Sequence, residues 1–208
     1  HKKTKKPVAI KVTRYIPQGK KEAQIMKRYH RHKHLVRLHH FYVRNGKAYI
    51  VMDWFRGAPL GIRKKHRWIG KKRSLRAASR IVLMLLHTLR YLHSKNIQYR
   101  DINPSNILIN NRRLRVKFID FGSSIQSTNR NFVSLDIYLA GYLLYYLIIG
   151  NIRGHHKKFL LLRPKVRNKK LQALLNKAMH PNPKKRFRNT SQFIRALSRF
   201  YRVIRRQR

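Results

Sequence analysis

The sequence has 208 residues, of which 42% are apolar, and this length and composition predict one domain or two small lobes with a packed core. It carries 52 Lys and Arg against only five Asp and Glu, for a formal charge of +47. Because the chain has no Cys, disulfides, zinc–thiolate sites and cysteine nucleophiles are excluded.

The first quarter of the chain is rich in predicted strands. The predicted elements are, in order, a strand at residues 8–12, a helix at 22–29, and strands at 35–43 and 47–52. The last two strands form a predicted hairpin, because Asn45-Gly46 between them suits a tight turn. Residues 56–59 break the pattern and are a candidate hinge.

The rest of the chain is mainly helical in prediction. The predicted elements are a helix at residues 74–93, strands at 107–109 and 116–119, and helices at 135–149, 171–179 and 191–204. Ser74 is placed to cap the first of these helices. The helix at 135–149 is apolar nearly all round, which predicts a buried core helix too short to span a bilayer comfortably. Strands followed by helices predict an α+β chain with a small sheet lobe and a larger helical lobe.

Four of the five acidic residues lie in or beside short motifs. These are Val8-Ala9-Ile10-Lys11 with Glu22 on the next helix, Tyr99-Arg100-Asp101-Ile102-Asn103-Pro104-Ser105-Asn106, Asp120-Phe121-Gly122, and Ser134-Leu135-Asp136. A lysine can bind phosphates, carboxylate and amide oxygens suit Mg²⁺, and a carboxylate can take a proton from a hydroxyl. Phosphoryl transfer requires this combination of positioning and charge neutralisation.

Taken in order, these motifs resemble those of the eukaryotic protein kinases of the serine/threonine type. The resemblance implies a two-lobed protein-kinase-like fold, with residues 1–55 as a truncated N-terminal sheet lobe and 56–208 as the helical C-terminal lobe. It also implies ATP and Mg²⁺ as cofactors. The implied site residues are Lys11, Asp101 and Asn106 for catalysis, Lys11, Glu22, Met52, Asp53, Phe55, Asn106 and Asp120 for ATP, and Asn106 and Asp120 for the metal.

The resemblance also assigns a role to individual residues. Lys11 is expected to bind phosphates while Glu22 holds it in place, and Asp101 is expected to accept the proton of the acceptor hydroxyl. Met52 corresponds to the gatekeeper of the adenine pocket. Asp136 is expected to brace the catalytic loop. Structural interpretations stay open, with Glu22 as a surface helix residue and Asp101 and Asp136 as ties within the core.

The chain also departs from the family pattern. No glycine precedes Gly19, so the glycine-rich loop over the phosphates is expected to be missing, and the first residue, His1, fits a fragment or a processed product. Asn103 stands where serine/threonine kinases usually have lysine, which weakens the expected charge stabilisation. The short interval between Gly122 and Asp136 leaves no room for a normal activation segment, and Arg186 lacks the glutamate partner of the family.

Eight basic clusters predict a polyanionic partner, because a compact body of this charge repels itself. They lie at residues 2–6, 27–34, 63–67, 71–73, 155–158, 165–170, 184–188 and 202–208. Tyr29, Trp68 and Phe187 lie beside them and are candidates to stack on bases. Nucleic acid bound through its phosphates, without sequence preference, is the expected partner, and acidic membranes or acidic proteins are the alternatives. The predicted location is intracellular, in the nucleus or in a nucleoprotein particle.

Two functions therefore compete. One is a compact serine/threonine kinase with a protein substrate, which the retained Lys11, Glu22, Asp101, Asn106 and Asp120 favour. The other is a weak or inactive pseudokinase that serves as a nucleic-acid-binding structural component, which the departures favour.

Overall fold

The small lobe is a three-stranded antiparallel sheet with one helix packed against it. A computed structural model describes residues 7–112, 114–153 and 164–206. The elements of the small lobe are β1 (Val8–Thr13), α1 (Ile16–Tyr29), β2 (Leu38–Arg44) and β3 (Lys47–Asp53), and the strand order is β1-β3-β2. Lys11 pairs with Ile50, and Ala9 pairs with Met52. Because side chains alternate along a strand, these four residues share one face of the sheet.

Helix α1 lies very close to the sheet. A Cβ atom on Gly19 would sit 2.8 Å from the Cβ of Ala48, so only glycine permits this approach. The helix begins at Ile16, with a proline in its first turn, and not at Glu22 as its spacing predicted. Glu22 therefore lies in the second turn, where the helix backbone already orients its side chain.

The described residues of the large lobe form four α-helices, and the prediction for each of them is confirmed apart from its ends. They are α2 (Leu75–Ser94), α3 (Arg130–Ile149), α4 (Lys169–Ala178) and α5 (Thr190–Arg206). Ser74 caps α2, since its side chain accepts a hydrogen bond from the backbone N–H of Ala77 at 3.2 Å. A Cβ on Gly141 would lie 2.8 Å from that of Ala178, so this glycine lets α3 and α4 pack closely.

Short strands join the helices of the large lobe, and the sequence pattern revealed only two of them. The strands are β4 (Ala58–Pro59), β5 (Ile62–Lys64), β6 (Arg67–Ile69), β7 (Ile97–Gln98), β8 (Ile107–Asn110), β9 (Arg115–Phe118), β10 (Ile125–Gln126) and β11 (Asn151–Arg153). Only β8 and β9 were predicted. The others have two or three residues each, too few to show a period, and most pair with partners distant in sequence, such as β6 with β11.

Helix α3 is the centre of the large lobe. It begins five residues earlier than predicted, and Asn131–Ile149 is, by length and composition, a stretch that could cross a membrane; it is the one such helix among the described residues. Most of this stretch is buried within the protein, including the carboxylate of Asp136. These properties are those of the buried core helix that the apolar pattern predicted.

Candidate active site

A lysine and two carboxylates meet where the two lobes face each other. Lys11 on β1 donates from Nζ to Glu22 Oε2 at 2.8 Å and to Asp120 Oδ1 at 2.7 Å. Glu22 is only 2% exposed, whereas a third of the Lys11 side chain and 39% of the Asp120 side chain reach solvent. The lysine and Asp120 are thus open to a ligand, and Glu22 is a buried support. This placement excludes the interpretation of Glu22 as a surface residue.

The two carboxylates favour the charged form of Lys11. Burial lowers the pKa of Lys11, but the hydrogen bonds with Asp120 and Glu22 outweigh this effect and raise it above its usual value. Burial also raises the pKa of Glu22, which the ammonium group of Lys11 opposes. Lys11 therefore keeps its positive charge at neutral pH, as a phosphate-binding group requires.

Asp120 is presented by a strained turn. Its φ of +63° lies in the left-handed region, which residues other than glycine rarely adopt. Its Oδ1 accepts a hydrogen bond from Gly122 N at 3.1 Å, and Glu22 Oε1 accepts one from Phe121 N at 3.0 Å. The ring of Phe121 is fully buried and packs against Tyr29 and Tyr99, with centroids 4.8 and 5.1 Å apart. The turn is anchored on both sides of the carboxylate.

Two amides hold the carboxylate of Asp101. Asn103 Nδ2 donates to Asp101 Oδ1 at 2.8 Å, and Asn106 Nδ2 donates to Oδ2 at 2.9 Å. The Oδ1 atom of Asn103 caps the 3-10 helix Pro104–Asn106 by accepting from the backbone N–H groups of Ser105 and Asn106. The family resemblance identified Asn103 only as the replacement of a lysine. In the structure, Asn103 positions the candidate base and shapes the loop.

Asp136 braces the backbone of the catalytic loop. It is completely buried and accepts hydrogen bonds from Tyr99 N at 3.0 Å and from Arg100 N at 2.7 Å. His93 Nε2 donates a third bond to it at 2.8 Å. Arg100, like Asp120, has a positive φ, of 64°, which these bonds stabilise. His93 was not singled out from the sequence, because it belongs to no motif and meets Asp136 only through the packing of α2 on α3.

Tyr99 replaces the histidine of the family motif and links two parts of the site. Its hydroxyl donates to the carbonyl of Ile119, and its ring packs on Phe121 as described above. Ser124, fully buried, donates from Oγ to the carbonyl of Tyr99 at 3.0 Å. The catalytic loop is thereby tied to the chain on both sides of the turn at Asp120.

The hinge residues have different surroundings. Met52 is buried on the inner face of the sheet. The carboxylate of Asp53 accepts a hydrogen bond from Arg37 N at 3.0 Å and pairs with His39 Nε2 at 2.9 Å. Since its side chain is engaged within the small lobe, a nucleotide would meet Asp53 through its backbone. Phe55 is half-buried beside Gly57.

The oxygen atoms of Asp120 and Asn106 suit Mg²⁺. The described hydrogen bonds of Asp120 all use Oδ1, and Asn106 pairs with Asp101 through its amide nitrogen. In the described part of the chain, no group of three or more His, Cys, Asp or Glu is arranged to hold a metal. One carboxylate and one amide oxygen, with waters and substrate phosphates, are a usual ligand set for this ion.

The segment after Gly122 is short and ordered against the catalytic loop. Strand β10 pairs with β7, and α3 begins at Arg130, so only a few residues lie between the site and the core helix. Within the part of the chain that the structure describes, the partners of the Arg186 guanidinium include backbone carbonyl groups and an aromatic ring. It donates to the carbonyl oxygens of His180, Pro181 and Ser134 and lies 4.9 Å from the ring centre of Tyr138.

The prediction that Tyr29, Trp68 and Phe187 stack on bases is wrong. Their exposures are 0%, 4% and 6%, because each ring is part of the core. Among the basic clusters, residues 2–6 and 155–158 lie outside the described residues.

The two lobes, the lysine–glutamate pair and the paired catalytic and metal-binding motifs define a protein-kinase-like chain of the α+β class. The protein kinase domain family model matches residues 1–144, and the chain belongs to that family. A solved structure, the PK-1 kinase of the Cydia pomonella granulovirus, superimposes with a TM-score of 0.74 at 16% identity. The match covers 94% of this chain and 86% of that one.

Curated relatives carry protein kinase names, in one of these two cases a serine/threonine kinase name, but are much longer. MAP kinase-activated protein kinase 2 of Oryctolagus cuniculus is 29% identical over 147 residues, which cover 68% of this chain and 40% of the relative. The serine/threonine-protein kinase PknA of a Nostoc strain is 26% identical over 200 residues, which cover 77% of this chain and 34% of the relative. The chain thus spans two-fifths or less of these two relatives.

Proposed function

We propose that the chain binds Mg²⁺–ATP and transfers the γ-phosphoryl group to a serine or threonine hydroxyl of a protein. The observation that carries this proposal is the contact of Lys11 with both Glu22 and Asp120, at 2.8 and 2.7 Å. That arrangement joins the phosphate-binding lysine of one lobe to the metal-binding carboxylate of the other. The serine/threonine kinase names of the relatives support the acceptor class.

Each side chain has a distinct task in the proposed reaction. Lys11 neutralises phosphate charge, and Asp120 and Asn106 hold Mg²⁺, which supplies further neutralisation when bound. Asp101 accepts the hydroxyl proton as the hydroxyl oxygen bonds to the γ-phosphorus and the bond to the β-phosphate oxygen breaks. Asn103 holds the Asp101 carboxylate in position through the hydrogen bond from its Nδ2, but its neutral amide does not supply the positive charge of a lysine.

Binding and transfer are tested separately. ATP with Mg²⁺ at millimolar concentration should raise the melting temperature, and Lys11→Met should abolish the rise. Asp101→Asn should retain the rise while phosphate transfer from radiolabelled ATP to a mixed protein substrate is lost. Absence of any thermal shift in the unmodified protein would refute nucleotide binding, and transfer that survives Asp101→Asn would refute the assigned base.

A second function, nucleic-acid binding, follows from the charge of +47. In this proposal the chain binds phosphates over a broad surface without sequence preference, with or without kinase activity, and is located in the nucleus or in a nucleoprotein particle. On duplex DNA, the logarithm of the affinity should fall with the logarithm of the salt concentration with a slope near −0.9 for each neutralised phosphate. Six such contacts would give about a thousandfold loss of affinity between 50 and 200 mM salt. A shallow slope on unrelated duplexes and RNA would contradict it, as would tight binding to one sequence only.

A further inference from the structure

A large cavity lies beside the hinge and shares Asp53 and Phe55 with the residues that the family resemblance implies for ATP. Its volume is about 890 Å³, and it is lined by residues 53–58 and by the β8–β9 hairpin. Lys11, Asp101, Asn106 and Asp120 are not among its lining residues. Cavities of roughly 300–1,000 Å³ are the usual size for ligand sites in proteins.

The cavity is strongly cationic. Arg56, Arg112, Arg115 and Lys117 line it, and they come from the hinge, the hairpin turn and strand β9. The one carboxylate in the lining is Asp53, whose oxygens are already engaged by Arg37 N and His39 as described above. Little negative charge therefore remains there to compensate the four cations.

A second cavity, of about 450 Å³, adjoins the first through Asp53 and Lys117, which line both. It adds three more cations, Arg31, Lys33 and Arg37. The two cavities are neighbours on one basic side of the hinge, and we call the pair the hinge channel. Burial lowers the pKa of Lys117, the carboxylate of Asp53 opposes this effect, and repulsion from nearby Arg115 adds a smaller contribution in the same direction as burial. An anion in the channel would relieve that repulsion.

An aromatic side chain is also available in the hinge channel. Trp54 lines the larger cavity and is 50% exposed, whereas the second tryptophan, Trp68, is only 4% exposed. A half-exposed indole beside several cations is the combination by which proteins bind single-stranded nucleic acid: bases stack on the ring, and cations neutralise the backbone.

We propose that the hinge channel is a binding site for single-stranded nucleic acid, with a base stacked on Trp54 and phosphates on Arg56, Arg112, Arg115 and Lys117. An unpaired base is required, because a base inside a duplex cannot present its face to the indole. Arginine guanidinium groups match phosphate oxygens in geometry as well as charge. An acidic peptide would satisfy the cations but would leave Trp54 without a planar partner.

The first test separates this channel from general charge. The probe is a fluorescein-labelled dT12 oligonucleotide, and the variant pair Arg112→Gln with Arg115→Gln is compared with the control pair Arg199→Gln with Arg202→Gln. All four arginines are exposed, so both pairs remove the same charge from the surface. We expect the channel pair to weaken binding at least tenfold and the control pair less than threefold. Equal losses would overturn the proposal.

The second test addresses the base contact. Trp54→Leu should weaken dT12 binding at least fivefold, Trp54→Tyr should restore most of it, and neither should change binding of heparin, which has no bases. Equal losses for heparin and dT12, or no loss for dT12, would overturn the stacking assignment. If poly-glutamate displaced labelled dT12 as effectively as unlabelled dT12 does, the result would indicate an acidic protein partner. That result would also overturn the proposal.

Discussion

Glu22 Oε1 accepts a hydrogen bond from the backbone N–H of Phe121 at 3.0 Å, across 99 positions of sequence. The other carboxylate oxygen of Glu22 binds Lys11. One buried side chain therefore links the β1 lysine of the small lobe to the Asp120-Phe121-Gly122 turn of the large lobe. The position of helix α1 and the geometry of the candidate site are coupled through this contact.

Two substitutions of Glu22 should separate the contribution of its charge to stability from that of its hydrogen bond to Phe121 N. Glu22→Ala leaves Phe121 N without an acceptor in the core and Lys11 with Asp120 as its one described partner, and we expect a loss of about 2–4 kcal/mol in unfolding free energy. Glu22→Gln keeps an acceptor for Phe121 N and should cost less than half as much. Chemical denaturation of the two variants measures the difference, and equal losses would show that the hydrogen bond to Phe121 contributes nothing.

Asp136→Ala should be among the most destabilising single changes in the large lobe. It removes the shared acceptor of Tyr99 N, Arg100 N and His93, all bonded to one buried carboxylate. We expect a cost of about 3–5 kcal/mol, or a fall of roughly 6–20 °C in melting temperature. Thermal unfolding followed by circular dichroism measures it. A fall of less than about 2 °C would mean that the loop holds its shape without the brace.

Arg186→Lys tests whether carbonyl oxygens replace the family's glutamate. A lysine has one nitrogen and cannot reach the three carbonyl groups that the guanidinium spans, so we expect a loss of about 1–3 kcal/mol. Arg188→Lys is the matched control, because Arg188 is exposed and the substitution keeps the positive charge. Similar stabilities for the two variants in urea denaturation would contradict the assignment.

Substitutions at Asn103 should change the stability of the loop and the rate of phosphoryl transfer separately. Asn103→Lys removes the cap of the 3-10 helix and should lower stability by about 1 kcal/mol, while its ammonium group should raise the phosphoryl-transfer rate. Asn103→Ala loses the cap without adding the charge and should lower both quantities. Single-turnover rates of the two variants decide the matter. Equal rates for the lysine and alanine variants would rule out a role for the missing charge.

His32 should make stability depend on pH in the acid range. Burial and the nearby charges of His34 and Lys33 lower its pKa from 6.5 to about 4. Because the folded pKa lies below the unfolded one, its contribution is fully present above pH 6.5 and is lost as the pH falls toward 4. His32→Asn keeps an acceptor for His34 N. It should reduce the change in melting temperature across this pH window by a few degrees. An unchanged slope would contradict the assigned pKa.

The sequence alone was sufficient for the main helices, the hairpin at Asn45-Gly46 and the fold class. These features depend on periodic apolar positions and on turn residues, which act over a few neighbouring positions. The kinase motifs could also be identified from the sequence. The chemistry of phosphate and metal binding allows only a few residue types at each motif position, such as those of Lys11 and Asp120. The fold brings these two residues together as the family resemblance implied, and their catalytic roles remain predictions.

Tertiary structure alone decided which side chains meet and which are exposed. The contacts of His93 with Asp136 and of Arg186 with backbone carbonyls join segments that no local pattern connects. Tyr29 and Trp68 stand beside basic residues in sequence yet are buried, whereas Trp54 is half exposed. Exposure depends on how distant elements pack, and a two-residue strand or a single buried ion pair is stabilised by that packing and not by its own sequence.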